Sequence, residues 1–113
     1  MQITVLKSKI HSATVTDTQP YYQGSIGIDK SLMQASGLVA GEKVAVLNFN
    51  NSSRFETYVI EGGCGEISLK GPAAKLGKKG DKVIILAYGI IEQHEARNFK
   101  PKIILVDERN EVK

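Results

Sequence analysis

The chain has no tryptophan, one cysteine, two histidines, three prolines and two methionines. Lone Cys64 excludes an intrachain disulfide framework and fits a reducing compartment. His11 and His94 lie far apart, so no metal-ligand spacing arises. With only four tyrosines and three phenylalanines, the core must be built from Ile, Val, Leu and Ala. No apolar run reaches membrane-spanning length. Lys7 and Lys9 interrupt the stretch where a signal-peptide core would sit. The densest basic stretch, Lys75 to Lys82, is broken by Gly77, Gly80 and Asp81 and reads as a solvated turn rather than a nucleic-acid stripe. These absences lead us to expect a soluble, cytoplasmic protein with no metal, no membrane and no nucleic acid among its partners.

What remains is ordinary globular material. The 113 residues suit one domain, with 42% hydrophobic and 24% charged residues. The net charge of +3 gives a mild field that would draw in a small dianion. Ile3 to Ile10 reads as a strand with Lys7, Lys9 and His11 on one face, and Ala13 to Thr16 as a second strand. Asp29 and Gly37 bracket a short helix as N-cap and C-terminal stop. Asn50-Asn51-Ser52-Ser53 joins the strand Lys43–Phe49 to the strand Arg54–Ile60 as a hairpin. On the second strand Arg54, Glu56 and Tyr58 share one face, and Phe55, Thr57 and Val59 the other. A short strand Glu66–Leu69 follows, then a tight Gly71-Pro72-Ala73-Ala74 turn. Val83–Ile91 reads as a central strand, Glu92–Phe99 as a helical turn, and Lys102–Val106 as a last strand. From Asp107 the charged tail is expected to fray.

The phrase Gly41-Glu42-Lys43-Val44-Ala45-Val46-Leu47 is echoed by Gly80-Asp81-Lys82-Val83-Ile84-Ile85-Leu86. Two such turn-plus-strand units predict a pseudo-symmetric barrel, which removes sheet edges. DNA-binding swapped-hairpin proteins use a similar phrase, so the echo leaves the activity open.

Chemistry enters at Tyr21-Tyr22-Gln23-Gly24-Ser25-Ile26-Gly27-Ile28-Asp29. A serine hydroxyl can attack the carbonyl before it if the peptide is held strained, exchanging amide for ester. β-Elimination and hydrolysis then leave a pyruvoyl ketone at a new N-terminus. A Gly-Ser pair alone is more simply a turn; the surrounding residues decide otherwise. Lys9-Ile10-His11, Tyr22-Gln23-Gly24-Ser25-Ile26-Gly27-Ile28-Asp29, Arg54-Phe55-Glu56-Thr57-Tyr58 and Gly71-Pro72-Ala73-Ala74 occur in order. On these phrases the chain resembles the bacterial aspartate 1-decarboxylases, pyruvoyl enzymes that make β-alanine for pantothenate synthesis.

The resemblance implies a mainly β double-psi β-barrel with short helices, assembled as a homotetramer with active sites between subunits. It implies cleavage at Gly24–Ser25 into Met1–Gly24 (β chain) and Ser25–Lys113 (α chain). It leaves both spontaneous and helper-assisted maturation open. The cofactor it implies is the pyruvoyl group from Ser25, with no metal and no pyridoxal phosphate. By the same resemblance Ser25 and Tyr58 are catalytic, with Tyr58 the proton donor. Thr57 assists cleavage and contacts L-aspartate, Lys9 and Arg54 hold its carboxylates, and Gly71, Pro72 and Ala73 bound it. His11 and Tyr22 line the site. Lys70 and Pro72 depart from the family pattern, where asparagine and alanine are usual. The chemistry is consistent by itself: a ketone supplies the electron sink that decarboxylation needs, Arg suits carboxylates, and a phenol carries a proton at neutral pH. The competing reading is a non-enzymatic small β-barrel module that binds DNA through its basic turns.

Overall fold

The computed structural model describes residues 1–113. Eight strands form one mixed sheet: β1 (Gln2–Thr14), β2 (Asp17–Gln19), β3 (Ser25–Asp29), β4 (Lys43–Asn48), β5 (Arg54–Gly62), β6 (Ile67–Lys70), β7 (Lys82–Glu92) and β8 (Lys102–Leu105). Their spatial order is β2-β6-β3-β5-β4-β7-β1-β8. Strand β2 continues the chain of β1 yet pairs with β6 at the far end of that order. The stretch Gln2–Gln19 therefore closes the sheet on itself. Parallel pairs β3–β5, β2–β6 and β1–β8 lie among antiparallel ones, the signature of crossing connections in a double-psi β-barrel. The core is aliphatic, led by Ile10, Ile26, Ile28, Val46, Ile67 and Leu69. No helix is long and apolar enough to cross a membrane.

The internal echo is realised in the backbone. Gly41 and Gly80 both take left-handed φ, +86° and +94°, which glycine adopts without steric penalty. Gly41 N–H donates to the Val59 carbonyl and Val59 N–H to that of Glu42, each bond 2.8–3.0 Å. In the second copy Gly80 N–H donates to Val15 and Val15 N–H to Asp81, both at 2.8 Å. The acidic residue plays one part in each copy. Glu42 accepts Val39 N–H at 3.2 Å and Asp81 accepts Lys78 N–H at 2.9 Å, three residues back.

The short helix α1 (Lys30–Ser36) is capped as its sequence predicts. Asp29 accepts Ser31 N–H at 2.6 Å, and Gly37 closes the other end at φ +77°. The other Asp29 oxygen accepts Gly65 N–H at 2.6 Å, tying the helix start to the turn before β6.

Three expectations are corrected. Ala13–Thr16 is not a separate strand: β1 runs unbroken to Thr14, with register shifts between Leu6 and Ser8 and between Ile10 and Ala13. The residues Lys7, Lys9 and His11 do not form one patch. Lys7 sits in the first bulge, paired with Glu42 at 2.5 Å and with the Gly37 carbonyl at 3.3 Å, whereas His11 packs edge-on against Phe49. The tail from Asp107 does not fray. Asn110 is 2% exposed; its Oδ1 accepts Thr14 N–H at 2.7 Å and its Nδ2 donates to the Thr14 and Gly65 carbonyls at 2.9 Å. Val106 and Val112 then bridge.

Asn110→Ala leaves Thr14 N–H and two carbonyls short of a partner and puts alanine at φ +61°. The expected loss of unfolding free energy is about 2–3 kcal/mol. Urea denaturation with an unchanged m-value is the check.

Candidate active site

Strand β6 fixes the Gly24–Ser25 bond. Its last residue, Lys70, pairs with Gln19 of β2 on one side and with Ser25 of β3 on the other. The five residues Pro20–Gly24 must therefore leave and re-enter the sheet across a single strand, a span of roughly 10 Å at ordinary strand spacing. The chain stays close because Gly71 follows. At φ +69° it offers no Cβ, and one built there would fall 2.6 Å from Gly24 Cα and 2.8 Å from the Tyr22 carbonyl oxygen. The left-handed backbone at this junction belongs to Gly71 and not to Gly24, whose φ is not left-handed. Ser25 is buried, and its Oγ lies 3.4 Å from the Gln23 carbonyl, a long contact turned back along the upstream chain.

Beside this junction opens a cleft of about 300 Å³. It gathers Gly24, Thr57, Tyr58, Pro72 and Ala73, five of the residues expected at the site. Pro72 is the second residue of a 3₁₀ turn, Gly71–Leu76, within the first turn where a missing N–H costs little. Phe55, Glu56 and Leu76 complete the wall and were not anticipated. The alternation of β5 placed Glu56 with Arg54 and Tyr58, which was the available signal for it. Glu56 lies 3.4 Å from Lys43, an exposed ion pair.

The remaining expected residues lie elsewhere on the chain. Arg54 lines a second cleft, about 290 Å³, with Phe49, Ser52 and Ser53. His11 meets Phe49 of that cleft, ring centroids 5.9 Å apart. Lys9 pairs with Leu86 across β1 and β7. Tyr22 lies beneath the Lys70 ammonium, 4.6 Å from Nζ to ring centroid. One copy of the chain thus brings together the Gly24 side of the site but not Lys9, His11 and Arg54. No group of three His, Cys, Asp or Glu is arranged to hold a metal.

Behind β6 a carboxylate fills space left by two glycines. A Cβ on Gly27 would fall 2.5 Å from Glu66 Oε2, and one on Gly62 2.8 Å from its Cδ. The Ser68 hydroxyl, donating at 2.5 Å, is the main cause that holds Glu66 below the ordinary carboxylate range. Burial acts against it, while Gly63 N–H and the Lys70 ammonium reinforce it. Asp29 is also lowered: burial pushes it up, but the N–H groups of Gly65, Ser31 and Leu32 outweigh that.

Both carboxylates are depressed in the folded state. Their stabilisation is complete above the unfolded values of 4.5 and 3.8 and is lost as pH falls through the lowered folded values. Unfolding free energy should be level from neutral pH to about pH 5 and fall below that. Glu66→Gln should make the acid limb shallower in denaturant titrations taken at successive pH values.

A family model described as aspartate decarboxylase matches residues 1–113. The aspartate 1-decarboxylase of Thermoanaerobacter pseudethanolicus is 54% identical over 112 residues, 97% of this chain and 96% of that one. That of Acetivibrio thermocellus is 52% identical over 114 residues, covering 99% and 90%. That of Leptospira biflexa is 50% identical over 116 residues, covering 100% and 98%.

Proposed function

The chain belongs to the aspartate decarboxylase family, and from that premise we propose that it converts L-aspartate to β-alanine and carbon dioxide with a pyruvoyl group made from its own Ser25. The observation that carries the reading is the cleft in which the Gly24 end of the scissile peptide meets Thr57 and Tyr58. Self-cleavage would begin when Ser25 Oγ bonds to the Gly24 carbonyl carbon and the peptide C–N bond breaks, leaving an ester and a free amine. Elimination breaks the Ser25 Cβ–O bond and releases the Gly24 carboxylate. Water then replaces the nitrogen, which leaves as ammonia, and a ketone remains at position 25. The products would be Met1–Gly24 and Ser25–Lys113.

Position 25 fits that group: it is buried, at the edge of the cleft, and held by pairing with Lys70. Once formed, the ketone supplies the electron sink for the charge left when carbon dioxide departs. Thr57, which lines the same cleft as Gly24, would assist cleavage and then contact substrate. The Tyr58 phenol, in the same cleft, returns a proton to carbon. Gly71, Pro72 and Ala73 would bound the substrate through backbone contacts.

The substrate carboxylates need cations that this cleft lacks. Arg54 and Lys9, together with His11, would reach it from a second copy. Exposed apolar side chains at the two clefts, Tyr58 at one and Phe49 at the other, support such an assembly, and a homotetramer with shared sites is the arrangement we infer. The product would serve pantothenate synthesis in the cytoplasm, a setting that suits the free Cys64.

Ser25→Ala should give one uncut chain without decarboxylase activity, because alanine has no oxygen to start the acyl shift. Denaturing gels and mass spectrometry read the cut; activity in the uncut variant would overturn the mechanism. Tyr58→Phe should still cleave, because the ring's packing is kept, yet release carbon dioxide at least ~100-fold more slowly, within the usual range for losing a general acid. Turnover equal to wild type would assign the proton to another donor.

A further inference from the structure

Lys70 occupies an unusual place for a charged side chain. It is 9% exposed, at the end of a strand whose other three residues are all buried. A buried ammonium is costly unless partnered. Its partners are specific: Nζ donates to Gln19 Oε1 at 3.1 Å and stands 4.6 Å over the Tyr22 ring. Gln19 is the last residue before the Pro20–Gly24 loop, and Tyr22 is its midpoint. The Lys70 backbone pairs with Gln19 and with Ser25, the two residues that flank the loop. One residue therefore touches the base, the middle and the far end of the segment that carries the scissile carbonyl.

The other restraints on this loop are few. Tyr22 N–H donates to the Gln19 carbonyl at 3.3 Å, and Gly71 packs against Gly24. Tyr21 is fully exposed and Tyr22 is 59% exposed, so packing does little to hold either. Downstream of the bond the situation differs, since Ser25 and Ile26 are paired within the sheet. An acyl shift needs both sides fixed, because small misplacements of reacting atoms are costly in rate.

We propose that Lys70 is the positioning residue of the scissile loop: its ammonium ties Gln19 to Tyr22 and so keeps the Gly24 carbonyl presented to Ser25 Oγ. The inference rests on the self-cleavage reading above. After cleavage the same contacts would retain the freed end of Met1–Gly24 on β6.

The test has two arms. In the uncleavable Ser25→Ala chain, hydrogen exchange at the Tyr22 amide reads the tie directly. Lys70→Met keeps the aliphatic stem and removes the charge, and should speed that exchange at least ~10-fold, in line with a lost cation–π contact and hydrogen bond. Lys70→Arg should restore protection, because guanidinium also donates and stacks. In chains that retain Ser25, the first-order rate of fragment formation should fall at least ~10-fold for Lys70→Met and recover for Lys70→Arg. Unchanged Tyr22 exchange in Lys70→Met overturns the tie. Faster exchange with an unchanged cleavage rate overturns its positioning role. A wild-type chain that stays whole overturns the self-cleavage reading instead, while the exchange arm still decides the tie. If Lys70→Met does not fold, Gln19→Leu and Tyr22→Leu remove the partners from the solvent side, and normal cleavage in both overturns the proposal.

Discussion

The arrangement around position 25 depends on the two-sided pairing of β6. This four-residue strand is hydrogen-bonded by β2 on one side and β3 on the other. Both neighbours come from the first 29 residues, on either side of Gly24–Ser25. A cut at that bond would therefore leave each fragment stitched into the same sheet. Met1–Gly24 would keep β1 against β7 and β2 against β6, and Ser25 would open β3 between β5 and β6. Pairing of this kind also explains why the junction admits no side chain at Gly71: the backbone of Gly24 occupies the space.

The barrel supplies that pairing through repetition. Each copy of the Gly-acid-Lys phrase makes a left-handed turn, caps an upstream N–H with its carboxylate, and exchanges a pair of backbone bonds with a buried valine. One valine, Val15, lies just before β2; the other, Val59, lies on β5 beside Ile26. One turn thus holds the chain as it enters β2, and the other holds β5, the partner of β3. Symmetry in the scaffold ends there, since only one crossing carries a Gly-Ser pair.

Local chemistry made much of this legible in the sequence. Asp29 and Gly37 marked the helix because capping is a short-range hydrogen-bond problem. The hairpin and the faces of β5 followed from turn residues and period-two alternation. What escaped was non-local. The bulges at Lys7 and at His11–Ser12 are set by partners on Glu42, Phe49 and the tail, far away in sequence. Asn110 looked like part of a charged, fraying end because its three partners belong to β1 and to Gly65. The setting of Glu66 was equally hidden, since nothing local shows that Gly27 and Gly62 leave room for its carboxylate. At the site, Thr57, Tyr58 and Gly71-Pro72-Ala73 were legible as motif residues, whereas the tie from Lys70 to Gln19 and Tyr22 needed the sheet order.

The rise of an extended strand explains why one copy holds only part of the expected site. Arg54 and Thr57 are three apart on β5, about 10 Å along the strand. The carboxylates of aspartate are separated by two carbons, so a small substrate at Thr57 lies far from the cleft that Arg54 lines with Phe49. Tyr58 shares the Arg54 face but is four residues along, about 13 Å away. The segment Arg54–Tyr58 is paired along its length with Leu47–Lys43 of β4 and so stays extended, which keeps the groups apart. On the proposed reading, a dicarboxylate held by Arg54 while reacting beside Gly24 would take its arginine from a second copy. If that reading holds, catalysis and assembly form a single requirement: a dispersed monomer would retain the Gly24–Ser25 junction, Thr57 and Tyr58, and lack the cation proposed to orient the substrate.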